Sequence, residues 1–280
     1  MPEISTIIVT YNSGRFIGAC LNSLFEENCK DVEIIVVDNA STDDTVKLIR
    51  EQYPCVRLIE NSVNRGAAAA RNQGVVSSSG HWVLTLDSDT VVERGFIQNL
   101  LILIKNISAN IGIIQPKILF YDKKHIYSCG IFLSWSRRFY DIGKGKQDKV
   151  FFQDKREVFG ACSAAALYKR EMLEETREDT GYFDERFFFL AEDVDISWRA
   201  QKKGWKAFFY PEAICYHHGN SSGHGISARR KLCFRNRLLS ISKNEPLSGK
   251  FKLIPVFLAY DIPRFFLMLL SRDKLDSSHD

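Results

Sequence analysis

Alternation of short apolar runs with segments of helical spacing constrains this chain more than any other feature. In the first ninety residues STIIVT (5–10), VEIIVVD (32–38), VRLIEN (56–61) and HWVLTLD (81–87) read as strands. Their near-continuous β-branched character is that of parallel strands covered on both faces. Between the first two, Phe16, Ile17, Cys20, Leu21, Leu24 and Phe25 recur at helical spacing. STDDTVKLIREQY places cap-type residues and acids before an apolar stripe, so a helix is expected to start near Ser41. GAAAARNQGVVSS (66–78) reads as a short Ala-rich helix. Four strand–helix units in sequence define a doubly wound α/β sheet, which binds ligands at the carboxyl ends of its strands.

The remaining pattern is less regular. A helix over Gly95–Asn106 and a strand IGIIQPKIL (111–119) follow, and Tyr121–Glu157 reads as a strand-and-loop insertion. Composition excludes several classes: 45% hydrophobic and 26% charged residues over 280 positions describe a globular chain with a sizeable core. A net charge of +4 gives no reason to expect a nucleic-acid partner. The seven cysteines contain no CxxC pair and suit reduced thiols in a cytosolic setting. The N-terminal residues show no signal-peptide pattern, which again favours a cytoplasmic protein. The apolar run from Phe251 to Leu270 is interrupted by Lys252, Asp261, Arg264 and two prolines, so it reads as an interfacial or packed helix rather than a span.

Polar clusters fall at the predicted strand ends. Asp87 and Asp89 stand two apart after an apolar strand, where alternate side chains share one face and two carboxylates can hold one divalent cation. Asp38 ends the second strand and can accept from a base or ribose, or cap the next helix with Ser41. NRGAAAARNQG sets Arg65 and Arg71 about a small-residue helix start. Residues 174–195 carry nine acids against two arginines, a local charge of −7; Phe187–Leu190 would wall Glu192 and Asp193 and raise a carboxyl toward the pKa of a general base. His217 and His218 lie in a Gly/Ser-rich loop, and residues 217–250 carry +6, suited to a diphosphate or to anionic lipid.

Taken in order, IIVTYNSG, VVDNASTDDT, NRGAAAARNQG, LTLDSD, FGACSAAALYKR, FDERFFFLAEDVDISWR, YHHGNSSG and RNRLL resemble the motifs of glycosyltransferase family two, inverting enzymes with a GT-A fold, over about residues 4–240. Within it the chain is similar to the rhamnosyltransferase-like subgroup of bacterial surface polysaccharide synthesis. The resemblance implies a Rossmann-like nucleotide-binding sheet with helices on both faces, a nucleotide-sugar half (1–120), an acceptor and catalytic-base half (121–240), and a helical tail (241–280). Thr10, Tyr11, Asn12 and Asp38 would hold base and ribose with Arg65 nearby, and Asp87 and Ser88 would touch the nucleotide. Asp87 and Asp89 would bind Mg²⁺ or Mn²⁺ on the diphosphate, completed by His217, which matches the family's H-x-G-x-S spacing with Gly219 and Ser221. Gly160, Ala161, Cys162 and Glu192 would line the sugar and acceptor side. Asp193 would be the base, and Arg235 and Asn236 would contact the diphosphate.

The implied reaction is transfer from a UDP- or dTDP-sugar to a hydroxyl of a glycan or lipid-linked acceptor, by metal-assisted single displacement with inversion. Such an enzyme would sit at the inner face of the cytoplasmic membrane as a peripheral protein. A nucleotidyltransferase would want a Gly-rich phosphate loop after the first strand, for which TYNSGR is a poor match. A non-catalytic sugar-nucleotide-binding partner would have lost Asp87, Asp89 or Asp193, all of which are present.

Overall fold

A computed structural model describes residues 1–149, 152–219 and 225–270. The four expected strands and the three helices between them are present as β1 (Ile4–Thr10), α1 (Ile17–Glu26), β2 (Val32–Asp38), α2 (Thr45–Gln52), β3 (Arg57–Glu60), α3 (Ala67–Ser77) and β4 (Trp82–Asp87). They pair in parallel in the order β3-β2-β1-β4. Ile4, Ile8 and Leu84 face the α1–α2 side, while Ile7 and Val83 face the other, so both faces are covered and no strand alternates with polar residues. Each such fully buried aliphatic side chain contributes on the order of 1.5–3 kcal/mol.

One boundary differs from expectation. The second helix starts at Thr45, not near Ser41, because Ser41 is engaged by Asp38. Asp43 supplies the turn instead, accepting from the Thr45 amide and hydroxyl.

Beyond β4 the sheet becomes mixed. β5 (Thr90–Val92), α4 (Phe96–Asn106) and β6 (Ile111–Phe120) are followed by the insertion, which holds β7 (Ile126–Ser128), a hairpin of β8 (Ile131–Leu133) and β9 (Phe139–Asp141), and β10 (Arg156–Val158). Then come β11 (Ala165–Lys169), α5 (Arg170–Thr176), α6 (Glu192–Lys202), β12 (Lys206–His217) and the tail helices α7 (Ile226–Asn244), α8 (Leu247–Val256) and α9 (Ile262–Leu270). β11 enters antiparallel beside β4 and continues the sheet to β6, β12 and β10. The sheet therefore runs without a break across residue 120.

The tail is held by its inner face only. Asp261, the acid that breaks the apolar run, is buried and paired with Arg237 of α7 at 2.7 Å. On α8 the outward residues Leu247, Phe251 and Ile254 fall at i, i+4 and i+7, one exposed apolar stripe. Among the described residues no helix is long and apolar enough to cross a membrane.

Candidate active site

The parallel strands reverse their order about β1, and the crevice there lies between the carboxyl ends of β1 and β4. Thr10, Asp38 and Asp87 are delivered to it by register: Thr10 pairs with Asp38 and Val9 with Asp87. β12 brings His217 to the same edge through its pairing with Thr90.

Asp87, Asp89 and His217 place one ligand atom each within 4.8 Å of one another. His217 Nε2 lies 3.0 Å from Asp89 Oδ1 and 3.6 Å from Asp87 Oδ2. Burial opposes protonation of His217, but the adjacent Asp89 and Asp87 charges outweigh it and raise its pKa. Burial likewise raises the Asp87 carboxyl, despite the opposing charges of Arg71 and His217. Two carboxylates and an imidazole form a hard donor set that suits Mg²⁺ or Mn²⁺ and leaves further positions for diphosphate oxygens. A dication there would relieve the crowding of two acids, so the residues fit the ion. His218 does not join them: it is exposed and stacks on Tyr121, 3.7 Å between centroids. Gly219 donates its N–H to Asp89 Oδ2 at 3.1 Å, and Ser221 lies outside the described residues.

A pocket of about 390 Å³ is lined by Asp87, His217, Cys162, Ser163, Glu192 and Asp193 among others. Asp193 stands in the first turn of α6; its Oδ2 accepts from the Ser163 amide at 3.2 Å and its Oδ1 from the Val194 amide. Burial first, and then the neighbouring Glu192 charge, push its pKa up to about 7, against the opposing Ser163 amide and Arg71. The loop ahead of it is strained: Phe188, Leu190 and Ala191 all have φ between 62° and 69°. Gly66, itself at φ 84°, fits under this loop because a Cβ would lie 2.6 Å from the Phe188 ring and carbonyl.

Arg71 joins the two halves of the pocket. It reaches from α3 to Glu192 and, at 3.0 Å, to Asp87. Its guanidinium is therefore occupied by carboxylates. Arg65 is exposed and contributes its backbone N–H to Asn39 rather than a side chain to the crevice.

A smaller recess beside the pocket, about 100 Å³, is lined by Tyr11, Ser13, Asn39, Asn64, Ser88 and Phe188 among others. Ser88 donates to Ser13 at 2.7 Å. Asp38 is buried beneath, with both oxygens taken: Thr10 and Ser41 hydroxyls donate to Oδ1, and the Ser41 amide to Oδ2. It thus fixes the loop after β2, while Asn39 stands at the recess. Asn12 is held at φ 52° by Thr42 and Ser41, leaving Tyr11 outward. Asn39, Asn64 and Ser13 were not singled out from the sequence, although all three lie inside the quoted motifs.

Further expectations change. Cys162 lines the pocket, but Ala161 is fully buried and Gly160 packs against α6, where a Cβ would meet Ser197 Oγ at 2.2 Å. Asn236 and Arg235 are occupied at the base loop: the Asn236 amide donates to the carbonyls of Phe187, Phe189 and Leu190 at 3.1, 2.8 and 2.6 Å, and Arg235 to that of Arg186. They clamp the strained loop instead of reaching for a diphosphate. The acidic segment is not a carboxylate-rich face either. Lys243, from the basic segment, is paired with Glu178, Asp184 and Asp195, and Arg199 with Asp195. Of the nine acids only Glu192 and Asp193 line the pocket.

The parallel strands β3-β2-β1-β4, the antiparallel β11 and the DxD-type acid pair at the end of β4 match a GT-A fold. A family model, Glycosyl transferase family 2, matches residues 5–177, and the chain belongs to that family. Glycosyltransferase GlyA of Streptococcus pneumoniae serotype 4 is 27% identical over 202 residues, which are 69% of this chain and 29% of GlyA. Two solved structures share the fold. GalNAc-T7 with UDP, GalNAc and Mn²⁺ superposes with a TM-score of 0.67 at 17% identity, over 86% of this chain and 48% of that one. The mannosyltransferase PcManGT from Pyrobaculum calidifontis, in complex with GDP-Man and Mn²⁺, gives 0.63 at 19%, over 96% and 74%. This chain thus spans less than a third of GlyA and about half of GalNAc-T7.

Proposed function

We propose that this chain is an inverting glycosyltransferase. It moves a hexose from a nucleoside-diphosphate sugar, UDP- or dTDP-linked, to a hydroxyl of a glycan or lipid-linked glycan in bacterial polysaccharide synthesis. The observation that carries this reading is the placement of Asp193 across one pocket from Asp87, Asp89 and His217. Asp87, Asp89 and His217 would hold Mg²⁺ or Mn²⁺. The ion would neutralise charge developing on the departing diphosphate.

The recess at Tyr11, Asn39 and Asn64 suits the nucleoside, with Ser13 and Ser88 toward the phosphates. Asp193, ionised, accepts the acceptor's hydroxyl proton as that oxygen attacks the anomeric carbon. Glu192 is tied to Arg71 and is not placed as a nucleophile, which supports a single displacement with inversion. Arg71 keeps the acid pair and the metal-side Asp87 at a fixed separation. Rhamnose remains the donor sugar suggested by motif similarity. The exposed apolar stripe and basic tail support peripheral attachment at the inner face of the membrane.

A panel of UDP-, dTDP- and GDP-sugars, titrated with and without Mn²⁺, tests this directly. Metal-dependent binding and slow donor hydrolysis are expected for at least one donor. Absence of both across the panel contradicts the proposal.

A further inference from the structure

Between the β8–β9 hairpin and helices α7 and α9 runs a second groove of about 220 Å³. It shares Phe139, Tyr140 and Cys233 with the pocket at Asp193, so the two adjoin. Three arginines reach it: Arg138, Arg237 and Arg264. Arg237 is fully used, donating to the carbonyls of Arg137 and Ser136 and pairing with Asp261. The other two have no carboxylate partner among the described residues. Arg264 donates to the Tyr260 hydroxyl, and the Arg138 guanidinium sits 3.3 Å from the Tyr260 ring centroid. Arg138 Nε is buried with no hydrogen-bond partner. A buried guanidinium N–H without an acceptor is costly, and an anionic oxygen is its natural complement.

The surroundings indicate which anion. The groove walls are aromatic, with Phe139, Phe234 and Tyr260. Phe234 of α7 stacks with Phe265 of α9, and Arg237 pairs with Asp261, so the helices run antiparallel. This puts the exposed Arg230 and Lys231 beside the apolar end of α9. Residues 225–270 contain nine Lys and Arg against two acids, Glu245 and Asp261, both paired with arginine. Outward from the groove lie Phe266, Leu267 and the α8 stripe, all exposed. Cationic floor, aromatic walls and an apolar rim describe a phosphate ester with an apolar chain attached.

We propose that this groove binds the phosphate or diphosphate that joins the acceptor glycan to an apolar carrier. The sugar end then passes Phe139, Tyr140 and Cys233 to reach Asp193. This rests on the glycosyltransferase reading above and adds the chemistry of its acceptor.

Calorimetric titration of the full chain with farnesyl diphosphate, glycerol phosphate and inorganic pyrophosphate tests it, run both without ligand and saturated with UDP and Mn²⁺. Farnesyl diphosphate is expected to bind in both settings, and Arg138→Ala and Arg264→Gln each to weaken it at least tenfold while UDP affinity stays unchanged. Arg264 is exposed, so its variant reads the groove even if Arg138→Ala fails to fold. Equal binding of glycerol phosphate keeps the anion site and makes its source a soluble phosphate ester. Failure of every probe, or wild-type affinity in both variants, overturns the proposal; loss of UDP binding alone strikes the donor reading and leaves this one to the unliganded titration.

Discussion

The end of β4 and the start of α6 both present acids to one pocket, yet the protein treats them oppositely. At β4, the His217 Nε2 lies 3.0 Å from Asp89 and the Arg71 guanidinium 3.0 Å from Asp87. At the start of α6, the Asp193 carboxylate accepts from the Ser163 and Val194 amides, and its immediate neighbour is another acid. The first arrangement suits permanent ligands for a dication. The second suits a proton acceptor, because burial and a like charge delay ionisation to about pH 7. What separates ligand from base is thus the company each carboxylate keeps.

If that division is right, binding and chemistry break separately. Asp193→Asn is expected to lower kcat by about 10²–10⁴-fold, the usual worth of a general base, with donor affinity little changed. Stopped-assay kinetics beside donor titration checks this; parallel loss of both merges the two regions. His217→Ala is expected to weaken Mn²⁺-dependent donor binding by about tenfold to a hundredfold, while His218→Ala leaves it near wild type. The reverse order transfers the ligand role to His218. Smallest is the expected effect of Asn236→Leu, which removes the amide clamping Phe187, Phe189 and Leu190. It should cost about 1–3 kcal/mol of stability by chemical denaturation and roughly tenfold in kcat, leaving donor affinity intact. An unchanged kcat would mean that the loop keeps its shape unaided.

The contrast between the regions also explains what the sequence made legible. The nucleotide half is built from short-range units, so apolar periodicity located β1 to β4, and the acids after β4 followed from strand alternation. Asp193 and His217 were marked by motif resemblance, since no local pattern says that residues 87, 193 and 217 meet. The roles that changed depend on partners far away in the chain. Asp38 is consumed by Thr10 and Ser41, Arg71 by Glu192, and Asn236 by the loop at 187–190. Charge counting fell short for the same reason: Lys243 of the +6 segment sits among three acids of the −7 segment, Glu178, Asp184 and Asp195, which spacing along the chain cannot reveal. Asn39 and Asn64 were missed because an amide beside an aspartate or a glycine reads as turn chemistry until the recess is seen.

The central claim is that Asp193 must lose its proton before transfer can occur. Its pKa in the fold lies above the usual carboxylate range, so the reactive, ionised fraction grows as pH rises. The pH dependence of kcat with saturating donor and metal tests this most directly. A rate that climbs from pH 5 and levels off above a midpoint near 7, with that limb absent from the residual activity of Asp193→Asn, is the predicted result. A profile that is flat or falling across the same range would contradict it.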